Sequence, residues 1–372
     1  MSGTETPAPR RARWSKRTWS RVRFVAGIAL GGIALWAVSG QGAELAGAST
    51  ELSHLNVGWL LVAIGVEVLS LVAFARMDQR LLVCGGVSSG LGRFTAISFA
   101  AGAIASSLPA GPLVASAFCF RQFRRLGASE TLAAWTLVAT LMFSALGLAL
   151  LATAGVVVAE RQGAAFDLVG VIVAVFALTI AGVAAVYQRR ALAKVFTWTL
   201  EVSHRLTGFP RRPADEIVSA VAANMRSVAL SKRDLADVLA WSVANWALDC
   251  ACLVFAYLAV GAGVPWRGLL LAYGAGQLAA NLPITPGGLG VVEGSLVIAL
   301  VAFGGGQVST VAAVLLYRIV SFWGFLPVGW VFWGGLTWHN RRADQAVALA
   351  REVLVPRTPE VPSPEWTAEL EG

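Results

Sequence analysis

The sequence has little charge. Asp, Glu, Lys and Arg make up 13% of its 372 residues, about half the share found in a typical soluble domain. So little charge cannot cover a water-facing surface, which excludes a soluble enzyme. Disorder is excluded by the complementary excess. Hydrophobic residues make up 57% of the chain and mean hydropathy is +0.69, whereas disordered chains are poor in apolar residues. Histidine is scarce. His54, His204 and His339 are far apart and fall in segments expected to be loops, so no metal site and no cofactor are expected. Cysteine is scarce too. Cys84, Cys119, Cys250 and Cys252 form no C-x-x-C pair, and all lie in or beside apolar segments. Cys250 and Cys252 are two apart and point to different sides of a helix, so the four read as small buried hydrophobes. The net charge of +8 does not indicate nucleic acid, because the basic residues lie between apolar runs, as the positive-inside rule requires.

Several apolar runs exceed the ~18 residues that span a bilayer core. They are continuous rather than alternating over ~10 residues, so a β-barrel is excluded. The expected fold is an all-α polytopic membrane protein with about six spanning helices and two broken re-entrant hairpins in an inverted repeat. Residues 1–23 form a basic cytosolic tail. A first membrane half covers 24–194, a cytosolic amphipathic link 195–234, a second membrane half 235–338, and a disordered, proline-rich tail 339–372. The expected spans are Phe24–Ser39 (a retained helix, with Gly27 and Gly31 as a possible close-packing face), Gly58–Ala75, Thr131–Val158, Phe166–Tyr187, Leu235–Val260 and Val308–Trp338, the last with a break at Pro327. On this topology Arg161 and Arg267 lie outside and Arg318 inside a span; the other 26 of 29 Lys and Arg fall on the cytosolic side, together with both termini. Seven tryptophans (Trp36, Trp59, Trp241, Trp266, Trp330, Trp333 and Trp338) lie near span ends, as an aromatic belt requires.

Two apolar stretches are interrupted. Residues 94–120 contain SSLPAGP, with Pro109, Gly111 and Pro112. Residues 268–303 contain NLPITPGGLG, with Pro283, Pro286, Gly287, Gly288 and Gly290. Proline removes a donor and clashes with the preceding turn, so each stretch reads as two short helices around a break. The first has basic flanks at both ends, Arg93 and then Arg121, Arg124 and Arg125. This favours a hairpin returning to the cytosol over one kinked span. The second hairpin would enter from outside. Paired, Gly/Pro-interrupted segments in two halves point to a transport site near the membrane midplane.

Four ionisable residues lie well inside apolar segments: Glu67, Asp249, Glu293 and Arg318. Each costs at least ~2.5 kcal/mol at the bilayer centre, so each is expected to pair or to line a polar path. Arg318 is expected to pair with Glu293 or Asp249 and to contact an anionic head group; a purely structural ion pair is the alternative. Glu67 is expected either to cap a broken helix or to serve the path. Asn245, Gln277, Asn281 and Thr285 can extend that path or act as packing glue. GLGVVEG misses the dinucleotide fingerprint by one residue and follows no strand, so no nucleotide site is expected. The helix end at 289–294 is instead expected to present N–H groups to a phosphate.

At NLPITPGGLGVVEG, followed by LLYRIVSFW, the sequence resembles the membrane domain of bacterial lysylphosphatidylglycerol synthase/flippase proteins and their stand-alone relatives, over about residues 20–340. Pro283, Thr285, Pro286, Gly287, Gly288, Gly290, Glu293 and Gly294 match the family string, and Tyr317 with Arg318 match its tyrosine-arginine pair. The chain departs from the pattern in its first half, where PAGPLVAS carries no acidic residue. The resemblance implies movement of aminoacylated phospholipid from inner to outer leaflet. With 34 residues after Trp338, no synthase domain is expected here, and the chain is not expected to be an enzyme.

The expected function is therefore a flippase-like protein of a bacterial-type cytoplasmic (inner) membrane, translocating a phospholipid or lipid-linked precursor. Its partners would be membrane lipid and a separate lipid synthase, with no nucleic acid. An ion-coupled secondary transporter of a small solute, with Asp249 and Glu293 carrying protons, is the main alternative. A non-transporting scaffold for a lipid synthase is another. A membrane-embedded lipid-modifying enzyme would need acidic or His residues clustered at an interface loop, and none is apparent.

Overall fold

Two 28-residue helices, α1 (Val57–Cys84) and α5 (Lys232–Ala259), lie side by side and antiparallel. The Asn56 N–H donates to the Ala259 carbonyl (2.8 Å) at one end, and Arg80 pairs with Asp237 (2.5 Å) at the other. Local sequence sets their starts. The Asn56 side-chain oxygen accepts from the Trp59 N–H, and Ser231 and Asp234 form a reciprocal capping box. At 1.5 Å per residue each helix is about 42 Å long, more than the ~30 Å of a hydrocarbon core. The computed structural model describes residues 55–108, 111–161, 230–280 and 288–354. Among the described residues all regular structure is helical.

Between these helices and the rest stand two helix–break–helix pairs. The first is α2 (Leu91–Ser107) with α3 (Gly111–Arg125); the second is α6 (Leu269–Ala280) with α7 (Val291–Ala302). The 32-residue α4 (Glu130–Arg161) follows the first pair. The second is followed by α8 (Gln307–Arg318), a π-helical turn at Ile319–Gly324, and α9 (Phe325–Leu354). The arms of each pair pack on one another. Phe94, near the start of α2, meets Phe123, near the end of α3, with ring centroids 6.2 Å apart. Gly268, just before α6, abuts the Phe303 ring just after α7. The first pair opens at the Cys84 end of the α1–α5 couple, where Gln79 donates to the Ser89 carbonyl (2.6 Å). The second opens at the Ala259 end. The arms are 17, 15, 12 and 12 residues long, or about 26 Å down to 18 Å.

The long helices exchange partners between halves. α4 packs on α6, the first arm of the second pair, while α9 packs on α2, the first arm of the first pair. The two broken strings are similarly placed: Asn281 stands 174 positions after Ser107. Ser70 and Asn245, 175 apart, touch at the middle of the α1–α5 couple, where the Ser70 hydroxyl donates to the Asn245 carbonyl (3.0 Å).

Four helical segments are long and apolar enough to cross a membrane: α1, α4, α5 and the continuous run from Gln307 to Ala346. They coincide with four of the six expected spans. The other two, Phe24–Ser39 with Gly27 and Gly31, and Phe166–Tyr187, lie outside the described residues. So do the tail at 1–23, most of the link at 195–234, and residues 355–372. Two expectations change. The break expected at Pro327 falls earlier, in the π turn. The proline ring clashes with the carbonyl four residues back, here Trp323, and the wider π turn around that residue accommodates it. The chain also stays helical to Leu354 rather than losing order at 339, and His339 lies in that helix rather than in a loop. RRADQAVALAREVL is rich in strong helix formers and free of proline.

Candidate functional site

The second break is where charge enters the apolar interior. Gly288 (φ 68°) and Gly290 (φ 80°) turn the chain into α7, in a backbone region that side-chain-bearing residues rarely adopt. Three residues on, Glu293 turns back. Its Oε2 accepts from the Gly290 N–H (2.7 Å), and its Oε1 accepts from Arg318 Nε (2.6 Å). Arg318 closes α8, with its guanidinium 4.5 Å from the Phe322 ring centroid, one turn further on. Both side chains are largely buried, 11% and 15% exposed. Of the two carboxylates expected for Arg318, Glu293 makes the contact. The helix end expected to offer its N–H groups to a ligand is in part occupied, since Glu293 already takes that of Gly290.

A second polar cluster adjoins the first. Asp249, on α5, accepts three hydrogen bonds: from the Tyr273 hydroxyl (2.6 Å), Gln277 Nε2 (3.1 Å) and the Tyr317 hydroxyl (2.9 Å). Gln277 also donates to the Tyr317 oxygen (3.1 Å). Tyr273 and Gln277 are four apart on α6 and share a face. Tyr317 immediately precedes Arg318, and Arg318 is close enough to act electrostatically on Asp249. Nearby, the buried Tyr257 hydroxyl bonds Thr310 Oγ1 (3.0 Å) and ties α5 to α8.

Glu67 completes the cluster from α1. It caps no helix, contrary to one expectation, because α1 runs unbroken past it. Its carboxyl lies against that of Asp249, with Cys252 also in reach. The residue is 5% exposed. Glu67 stands ten residues from Val57, Asp249 ten from Ala259 and Arg318 eleven from Gln307. Each is therefore about 15 Å from the same end of the bundle.

The structure thus brings together Glu67, Asp249, Glu293, Tyr317 and Arg318. Asn245 lies apart from the network, against Ser70. Asn281, Thr285, Pro109, Pro283, Pro286 and Gly287 lie outside the described residues. Pro112 sits in the first turn of α3, where its missing N–H would be unpaired in any case. Among the described residues no group of three His, Cys, Asp or Glu is arranged to hold a metal. Sequence reasoning missed Tyr273. The available signal was a tyrosine one turn before Gln277, since a buried tyrosine hydroxyl needs a partner.

The arrangement offers a guanidinium held by one carboxylate, a second carboxylate held by three neutral donors, and a carboxyl facing another carboxyl. Five helices, α1, α5, α6, α7 and α8, contribute. Residues 24–329 match the family described as the lysylphosphatidylglycerol synthase TM region. Over 81 residues the chain is 41% identical to a UPF0104 membrane protein of Methanothermobacter thermautotrophicus. That stretch is 22% of this chain and 23% of the relative, so the match spans about a quarter of the relative's length. With its described helices and most of its length covered by the family match, the chain belongs to the lysylphosphatidylglycerol synthase transmembrane-region family and is a multi-pass membrane protein.

Proposed function

We propose that the chain moves a phospholipid, or a lipid-linked precursor, between the leaflets of a bacterial-type cytoplasmic membrane, with both termini cytosolic. The observation that carries the reading is the Arg318–Glu293 pair beside Asp249, buried about 15 Å from the bundle end where the second helix–break–helix pair meets α1, α5 and α8. Taking a charged head group through hydrocarbon is expensive. A polar path at mid-depth removes that cost while the acyl chains stay in lipid. Arg318 would exchange Glu293 for the phosphate, which its planar donor fork matches. On this reading the two pairs are re-entrant hairpins entering from opposite faces. Their arms are shorter than the hydrocarbon core, they open at opposite ends of α1–α5, and broken backbone at membrane depth needs protein around it.

The test uses purified full-length protein in liposomes and head-group-labelled phospholipids with and without an aminoacyl group. Wild type moves lipid between leaflets. Arg318→Ala loses that movement while remaining folded, and Arg318→Lys, a point charge without the fork, recovers part of it. Wild-type rates in folded Arg318→Ala would remove Arg318 from the path. No lipid movement by folded wild type would favour a solute transporter instead.

A further inference from the structure

The polar network has one atom without a donor. Asp249 accepts from Tyr273, Gln277 and Tyr317. Glu293 accepts from Gly290 and Arg318. Glu67 Oε2, in a residue that is 95% buried, accepts from no group among the described residues. An ionised carboxylate only accepts hydrogen bonds. Two ionised carboxylates placed together at the middle of a bilayer repel in a medium that screens little. Yet the Glu67 and Asp249 carboxyls are within hydrogen-bonding reach of one another. A proton on one of them turns that contact from repulsion into a donor–acceptor bond.

We propose that Glu67 and Asp249 form a proton-binding site whose loading controls substrate movement. This builds on the lipid-moving reading above and adds its coupling ion. The groups around the site fit this role. From α5, Cys250 and Cys252 flank it; from α6, Tyr273 and Gln277 face Asp249. From α8, Tyr317 bonds Asp249 and Arg318 acts on it at short range. Arg318 is itself held by Glu293 of α7. The proton links the two functions physically. With the pair loaded, Asp249 shares its charge with a neutral neighbour, and Arg318 keeps Glu293 as its counter-charge. When the proton leaves, the pair carries a second negative charge, and Arg318 is drawn from Glu293 toward Asp249. That shift changes whether the guanidinium is available to a phosphate. Tyr317, bonded to Asp249 and adjacent in sequence to Arg318, is the mechanical link.

Two measurements on the full-length protein test this. The first is infrared difference spectroscopy of purified protein between acid and alkaline buffers. Wild type shows a titrating carboxylic-acid carbonyl band, and Glu67→Gln and Asp249→Asn each remove it. Both substitutions are near-isosteric, so the fold survives. Absence of the band in wild type, or its persistence in both variants, overturns the proposal. The second is the proteoliposome assay with labelled phospholipid and an imposed pH difference, with membrane potential clamped. One proton per lipid sets about a tenfold leaflet ratio for each pH unit, and in Glu67→Gln the ratio of rates with and without the gradient falls to one. An equal sodium gradient leaves wild type unchanged. Lipid movement indifferent to pH, or driven by sodium, overturns the coupling. If the band titrates but no lipid moves, the proton site stands and the lipid reading fails.

Discussion

Glu293→Ala, made alone, destabilises the protein by about 3–5 kcal/mol, the cost of breaking a buried ion pair from one side. The substitution removes the carboxylate that holds Arg318 at 2.6 Å and also takes the partner from the Gly290 N–H. An unmet backbone donor at a helix start adds roughly 1 kcal/mol, and no water in the surrounding hydrocarbon can replace that partner. The expected asymmetry is the sharper test. Replacing both residues with apolar groups of similar volume, Glu293→Leu with Arg318→Met, returns most of the loss, because neither charge is then stranded. Unfolding midpoints of the purified single and double variants measure the coupling. A double variant as unstable as Glu293→Ala would mean that the two side chains do not depend on each other. The double variant should be folded yet silent in lipid translocation, which separates the structural role of the pair from its use.

What could be read in the sequence follows from how the bilayer constrains a chain. Scarce charge and long apolar runs indicate the helices, and four expected spans meet four helical segments. Proline and glycine mark the breaks, because their effects are local: SLPAGP and NLPITPGG each stand between two short helices. Arg318 and Glu293 stand out because an ionisable residue in an apolar run must find a partner. The contact between Glu67 and Asp249 was not legible. α1 and α5 are apolar on nearly every side, so no polar stripe shows which face of one meets the other, and the residues are far apart in sequence. Tyr273 was missed for a related reason: a tyrosine in an apolar helix looks like bulk until its hydroxyl is seen on Asp249. The helical continuation to Leu354 was outweighed by the prolines that follow it, although residues 341–354 contain none.

Gly111→Val should disrupt the first helix–break–helix pair, and the sign of its milder relative Gly111→Ala decides why. Gly111 opens α3, and its N–H donates to the Leu108 carbonyl (2.8 Å). A Cβ there would overlap the carbonyl oxygen of Ala105 and lie 2.8 Å from that of Ile104. These are backbone atoms in the last turn of α2, and they cannot rotate aside as a side chain would. Overpacking costs typically 1–3 kcal/mol where neighbours can yield, so Gly111→Val should cost about 3 kcal/mol or more. In an open helix position, by contrast, Gly→Ala is stabilising by roughly 0.5–1 kcal/mol. Gly102, exposed within α2, has nothing within 4 Å of an added Cβ and serves as the control. Thermal midpoints should therefore rise or hold for Gly102→Ala and fall for Gly111→Ala. If the two variants behave alike, the tight approach of α3 to α2 is not what shapes the break. If they diverge, the close backbone approach of α3 to α2 shapes the first break. That agrees with its sequence, in which PAGPLVAS carries no acidic residue. The four ionisable residues of the buried cluster, Glu67, Asp249, Glu293 and Arg318, lie on α1, α5, α7 and α8, and none lies on an arm of the first pair.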